Sequence, residues 1–124
     1  DEYCAARQRV AHYYDQAFAG VPQLKTPARQ PNSTHVFHQY TLQVADGRRD
    51  ELKAWLAEQG IPAMVYYPVA LYDQNAFRAY WRGGALPVTE QLCQAVISLP
   101  MHTELTEAVL EKITGAVKAF FAKE

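Results

Sequence analysis

The spacing of apolar residues changes twice along this chain, and that change limits the possible folds more than any other feature. Near the N-terminus apolar residues recur at helical spacing, at Tyr3, Ala6, Val10, Tyr13, Tyr14, Ala17 and Phe18. From His35 to Val44 the period is two, which is typical of a strand. A helical stripe returns between Leu105 and Phe121. Helices and strands in one short chain favour an α+β fold.

The alternation within His35–Val44 assigns its side chains to two faces. The more apolar face carries Val36, His38, Tyr40, Leu42 and Val44. We expect this face to be buried, with His38 as a hydrogen-bonded core histidine. His35 lies on the opposite face, so the two imidazoles cannot share a metal ion. The sequence therefore predicts no metal site.

Shorter elements are indicated by their caps and breakers. The segment from Gly20 to Thr34 holds three prolines and is predicted to be irregular. Asp46 is predicted to cap a helix that stops at Gly60, and residues 62–67 are predicted to form a short second strand. Asp73 is predicted to cap a short helix through Trp81.

The C-terminal third of the chain is predicted to hold two helices and one strand. Pro87 fits the first turn of a helix, and residues 97–99 are predicted to form a third strand. Thr103 or Thr106 caps the last helix. We therefore expect one domain over residues 1–124: a small, mostly antiparallel sheet of about three strands, covered by helices.

Composition excludes several classes of protein. The 124 residues carry 12 Lys and Arg against 13 Asp and Glu, which argues against a nucleic-acid binder and an anionic membrane surface as partner. No apolar stretch is long enough for a membrane span. Cys4 and Cys93 are expected to be reduced thiols in a cytoplasmic protein. The chain lacks an initiator Met and begins inside a helical pattern, so we expect it to be part of a longer protein.

The segment Tyr66–Tyr72 is the candidate binding site. Tyr66, Tyr67 and Tyr72 offer flat apolar faces and hydroxyl donors, which suit sugar rings and their hydroxyls. Alternatively, these tyrosines fill the rim of a core, with their hydroxyls in water. The chain has no phosphate-binding glycine loop and no nucleophile elbow, so no catalytic residue is indicated.

Seven stretches resemble, in order, the C-terminal domain of the DegT/DnrJ/StrS family of nucleotide-sugar aminotransferases: residues 7–15, 33–40, 49–52, 60–62, 66–72, 86–90 and 98–106. The spaced Tyr66-Tyr-Pro-Val-Ala-Leu-Tyr72 and Ser98-Leu-Pro-Met101 motifs are the most specific. The resemblance implies the small domain of a fold-type-I, pyridoxal-phosphate enzyme that transfers an amino group from glutamate to a keto-sugar nucleotide.

The resemblance also implies where the chemistry lies. The family's cofactor lysine belongs to a large N-terminal domain, and the five lysines here occupy surface-type positions. We therefore expect no catalytic residue and no bound cofactor in this chain, which should be inactive alone. Tyr67 and Pro68 carry over as a sugar contact and the turn behind it. Tyr66 and Tyr72 stand where the family often has His, and both remain candidate substrate contacts.

The resemblance implies a homodimer for the full-length enzyme, in polysaccharide or deoxyaminosugar biosynthesis. It does not choose the sugar: a uridine- or thymidine-linked 3-keto or 4-keto hexose fits equally. A non-catalytic α+β module for binding sugars or other proteins is the alternative function.

Two further expectations concern the surface. Arg78 and Arg82 are predicted to be solvated, and an uncovered apolar face on the first helix would cause self-association.

Overall fold

The computed structural model describes residues 1–123. This part of the chain forms four α-helices and three strands, confirming the α+β prediction. The helices are Glu2–Phe18 (α1), Arg49–Glu58 (α2), Pro87–Ala95 (α3) and Glu107–Phe121 (α4). The strands are Leu24–Lys25 (β1), Tyr40–Val44 (β2) and Val96–Leu99 (β3). Two single 3₁₀ turns, Leu71–Asp73 and Arg78–Tyr80, lie between α2 and α3.

The three strands form one antiparallel sheet in the order β1-β2-β3. In its register Leu24 faces Val44 and Leu42 faces Ile97. The predicted strand over residues 62–67 is wrong, because only Met64 pairs with the sheet, through an isolated bridge to Ser98. Prolines at both ends of that segment lack the N–H that would extend the pairing. β1 lies inside the segment predicted to be irregular and is too short to produce a sequence pattern.

Strand β2 begins at Tyr40, later than the sequence predicted. Phe37 adopts a φ of 50°, in the left-handed region, and its N–H donates to His35 Nδ1 at 2.9 Å. This turn exchanges the buried and exposed faces that the sequence predicts before β2. Phe37 is therefore fully buried, whereas Val36 and His38 are exposed. The predictions of a buried Val36 and of His38 as a core histidine are therefore wrong.

The core lies between the sheet and helices α1, α2 and α4. Its largest fully buried side chains are Tyr14, Tyr40, Phe18, Phe37, Leu42, Leu52, Leu56, Ile97 and Val117. Each such apolar side chain contributes about 1.5–3 kcal/mol on burial. The Tyr14 hydroxyl donates to the Pro100 carbonyl at 2.8 Å, and the Tyr40 hydroxyl donates to Asp15 at 2.7 Å. Burial raises the pKa of both phenols well above the ordinary value.

Three of the predicted helix caps and stops are observed in the structure, and two are not. Pro87 opens α3, Thr106 caps α4 through the Val109 N–H, and Gly60, at a φ of 69°, follows α2 as predicted. Asp46 does not cap α2, because its own φ of 57° places it in the preceding turn. Asp73 caps no helix either. Gln74 is extended and separates two 3₁₀ turns where one helix was predicted.

Candidate functional site

An exposed loop rich in aromatic residues is the candidate functional site. This aromatic loop runs over residues 66–86, between the Met64 bridge and α3, and contains only the two 3₁₀ turns. Its exposed aromatic side chains are Tyr66, Tyr67, Phe77, Tyr80 and Trp81. Exposed apolar clusters of this kind mark binding sites more often than exposed residues that stand alone.

Tyr66 and Tyr67 lie side by side at the start of the aromatic loop. Their ring centroids are 5.8 Å apart and their planes meet at 71°, so each ring keeps an open face. Tyr67 is 69% exposed and Tyr66 is 40% exposed. Neither hydroxyl bonds to another side chain or backbone group within residues 1–123. Both phenols are therefore free to contact a ligand.

The surface beside Tyr66 carries polar groups that the sequence did not place there. A depression of about 320 Å³ is lined by Tyr66 together with His38, Gln39 and Ser98. His38 reaches this surface because the turn at Phe37 directs it outward. The alternating pattern assigned His38 to the buried face, so the sequence did not predict it at this candidate site. No local motif signals the positive φ at Phe37 that exposes it.

Tyr72 is placed differently from the other two tyrosines. Its hydroxyl donates to Glu90 Oε1 at 2.8 Å, and its ring stacks on Trp81 with centroids 5.0 Å apart. The hydrogen bond to Glu90 raises the pKa of Tyr72 to about 12. Tyr66 and Tyr67 are in ring contact, whereas Tyr72 packs on Trp81 and lines a different depression, so the three tyrosines do not form one continuous platform.

The lysines of residues 1–123 bear on whether this part of the chain could hold pyridoxal phosphate. Its five lysines are all exposed, and none lines a depression at the aromatic loop. The lysine nitrogen nearest an aromatic ring, Nζ of Lys123, lies 3.8 Å from the Trp55 ring centroid, away from this loop. These exposed lysines therefore do not fit a buried site of covalent attachment for the cofactor.

No group of three or more His, Cys, Asp or Glu side chains within residues 1–123 is arranged to hold a metal ion. None of the helices in this range has both the length and the apolar composition of a membrane span. A polar cleft beside α1 contains Asp15, Arg29 and His35. Asp15 pairs with Arg29 and accepts from Tyr40, so the charges in this cleft are already balanced within the fold.

Comparisons with known proteins agree with this architecture. The sequence profile of the DegT/DnrJ/EryC1/StrS aminotransferase family matches residues 1–118. A crystal structure of a DegT DnrJ EryC1 StrS aminotransferase from Brucella abortus superposes with a TM-score of 0.85 at 36% identity, covering 96% of this chain and 31% of that one.

Two curated relatives cover most of the chain. A "UDP-N-acetyl-3-dehydro-alpha-D-glucosamine 3-aminotranferase" from Acidithiobacillus ferrooxidans is 34% identical over 94% of this chain. A "Pleiotropic regulatory protein" from Geobacillus stearothermophilus is 40% identical over 77% of it. The chain spans 30% and 26% of the length of these two relatives.

Proposed function

This chain belongs to the DegT/DnrJ/EryC1/StrS aminotransferase family, and we propose that it is the C-terminal small domain of a pyridoxal-phosphate enzyme. The whole protein transfers an amino group from glutamate to a keto-sugar nucleotide. The UDP-sugar activity named for the Acidithiobacillus ferrooxidans relative supports this substrate class. The two free thiols, Cys4 and Cys93, fit a cytoplasmic protein.

The pair of exposed tyrosines with free hydroxyls is the observation that carries the proposal. A sugar ring has apolar C–H faces and a rim of hydroxyl groups, so it is bound by an aromatic face combined with hydrogen-bond donors. Tyr67 supplies both at the most exposed point of the pair. Tyr66 supplies the same groups next to His38 and Gln39. Tyr72 offers only its ring, because Glu90 occupies its hydroxyl.

In this proposal the chain binds and orients the sugar but carries out no bond-making step. Pyridoxal phosphate supplies the electron sink for amino-group transfer, and a lysine elsewhere in the protein holds it. Because this chain does not fit the cofactor, it is inactive on its own. The proposal includes a homodimer for the whole enzyme, as the resemblance to the family implies.

Substitution of Tyr67 in the whole protein tests the proposal. The assay follows 2-oxoglutarate released from glutamate in the presence of UDP- or dTDP-linked keto sugars. Tyr67→Phe should raise KM for the sugar nucleotide about 2- to 10-fold, because one neutral hydrogen bond contributes about 0.5–1.5 kcal/mol. Tyr67→Ala should raise it further, whereas the half-reaction with glutamate alone should not change.

Tyr3→Ala is the matched control, because Tyr3 is an exposed tyrosine on α1, outside the aromatic loop. An unchanged KM in Tyr67→Ala would remove Tyr67 from the site. Failure of the whole protein to aminate any keto-sugar nucleotide would overturn the proposed activity.

A non-catalytic binding module is the second candidate function. The name of the Geobacillus stearothermophilus relative, a pleiotropic regulatory protein, favours it. In that case the whole protein binds sugar nucleotides saturably but shows no turnover with glutamate. The same assay, combined with a binding isotherm, separates the two functions.

A further inference from the structure

The turn that precedes β2 contains a hydrogen bond from the backbone to a histidine side chain. The Phe37 N–H donates to His35 Nδ1 at 2.9 Å, and the two rings stack with centroids 4.1 Å apart. Phe37 has a φ of 50°, a left-handed conformation that costs free energy in any residue with a Cβ. Such a conformation persists only where the surrounding structure holds it. The contacts of this turn therefore determine whether it forms.

Side chains of α1 and of the segment before β2 contact the same turn. Gln8 Nε2 donates to the His35 carbonyl at 3.0 Å, and Arg7 donates to the Phe37 carbonyl at 3.4 Å. The Arg29 guanidinium lies 4.1 Å from the centroid of the Phe37 ring, which is fully buried. The carbonyls of residues 35 and 37 are thus both bonded to α1, and the Phe37 N–H is bonded to the His35 imidazole.

The turn determines on which face of the chain His38 lies. A continuous strand would place residues 36 and 38 on the buried face, as the alternation predicts. Because Phe37 is left-handed, His38 is exposed and lines the depression that also contains Tyr66. His35 lines a different cleft, beside α1. An effect of His35 on the surface beside Tyr66 therefore passes through the backbone of the turn.

We propose that His35 is a positioning residue: its neutral imidazole holds the turn at Phe37 and thereby keeps His38 at the candidate sugar-binding surface beside Tyr66. This proposal rests on the proposed function and adds to it a residue that does not touch the sugar. A neutral imidazole that accepts at Nδ1 carries its proton on Nε2. Protonation puts a second N–H at Nδ1, facing the Phe37 N–H, so the imidazolium cannot accept this bond. The position of His38 therefore depends on the charge of His35.

The charged groups around His35 do not compensate a positive imidazole. Arg7 and Arg29, which contact the turn, are cations. The carboxylate of Asp15 lines the same cleft but already pairs with Arg29. His12 is a second titratable side chain in this cleft. Within residues 1–123 no acidic side chain forms an ion pair with His35. Since histidine changes charge between about pH 5 and 8, acidification should release the turn.

NMR of this chain measures whether His35 holds the turn. His35→Ala should lower the protection of the Phe37 amide from hydrogen exchange about 2- to 10-fold, as expected for one neutral hydrogen bond. It should also move the resonances of the His38 ring. His35→Asn should restore both, because an asparagine side-chain oxygen accepts from the N–H two residues further along. His102→Ala is the matched control, since His102 Nδ1 accepts in the same way from the Glu104 N–H, at 3.3 Å, without a left-handed residue.

A pH titration separates this role from ordinary packing. In the unmodified chain the Phe37 amide resonance should shift between about pH 8 and pH 5, in step with the His35 ring. In His35→Asn, where His38 and His12 still titrate, that shift should disappear. Circular dichroism verifies that each variant folds. A Phe37 amide that shifts equally in both proteins, or that keeps its protection in folded His35→Ala, overturns the proposal.

A double-mutant cycle in the whole protein tests whether His35 acts through His38. His35→Ala should raise KM for the sugar nucleotide about 2- to 10-fold, because a displaced His38 loses a hydrogen bond to the sugar. The half-reaction with glutamate alone should not change, and His35→Asn should restore KM. In a His38→Ala background, His35→Ala should have no further effect, since residues that act through one another are not additive.

The outcomes separate this inference from the proposed function. If the whole protein aminates a keto-sugar nucleotide but the two substitutions have additive effects, or His35→Ala has none, the proposed function stands and the positioning role of His35 falls. If no keto-sugar nucleotide is aminated while His35→Ala releases the turn and moves His38, the proposed function falls. His35 then still positions His38 beside Tyr66, on a surface that serves another function.

Discussion

Glu90 connects the aromatic loop to helix α3 through two hydrogen bonds. It accepts hydrogen bonds from the Tyr72 hydroxyl and the Leu86 N–H, and it raises the pKa of Tyr72 to about 12. Neutral Tyr72 donates in this bond, so its stabilisation is fully present below pH 10, the ordinary pKa of the phenol. The stabilisation is lost as the pH rises through the pKa in the folded state, about 12.

Glu90→Ala should therefore lower the pKa of Tyr72 towards 10. Carbon NMR of the Tyr72 ring during a pH titration measures this change directly. Glu107→Ala, which removes a carboxylate from the first turn of α4, should leave the titration of Tyr72 unaltered. A Tyr72 pKa that stays near 12 in Glu90→Ala would show that another contact raises it.

At the residue scale the sequence grouped Tyr66, Tyr67 and Tyr72 as one candidate site but did not predict their arrangement. The structure exposes Tyr66 and Tyr67 at the start of the aromatic loop. The separation of Tyr72 could not be predicted, because its partners Glu90 and Trp81 lie 18 and 9 residues further along the chain. Side-chain contacts over such distances depend on tertiary packing, which a periodic pattern does not encode.

Helix α4 provides a prediction at the scale of one element. The sequence allowed either Thr103 or Thr106 as its N-cap, and the structure places Thr106 there, accepting from the Val109 N–H at 3.4 Å. Thr106→Ala should destabilise the chain by about 1 kcal/mol, which lowers Tm by about 3–5 °C for a domain of this size. Thr103→Ala is the control and should leave Tm nearly unchanged. Equal shifts in the two variants would contradict the assignment of the cap.

Long helices were predicted well because each repeats one pattern many times. In α1 the buried positions Val10, Tyr14 and Phe18 recur at a spacing of four, and the stripe on α4 behaves in the same way. The short elements could not be predicted as reliably. β1 has two residues, and one positive φ at Phe37 was enough to reverse the faces of the segment before β2. The alternation of apolar and polar residues does not show that one residue within it, here Phe37, has a left-handed backbone conformation.

The whole molecule is divided into a packed side and an open side. Helices α1 and α4 pack together, and the inner face of α1 is buried, while Tyr3 on α1 is exposed. The open side is the aromatic loop, where Leu71 is 60% exposed and Tyr80 is 79% exposed. The exposed apolar side chains are therefore concentrated in the aromatic loop, where the candidate binding surfaces lie. The packed side forms the core behind this loop.

This division predicts that the chain self-associates through the aromatic loop, because contiguous apolar surface is removed from water when two copies meet. Sedimentation equilibrium over increasing protein concentration should give an average mass that rises above 14.0 kDa. Leu71→Ser/Tyr80→Ser should return the mass to that of the monomer, whereas Tyr3→Ser, at the exposed apolar residue of α1, should not. A chain that stays monomeric at every concentration would contradict the prediction. An equal effect of Tyr3→Ser would instead assign the contact to α1.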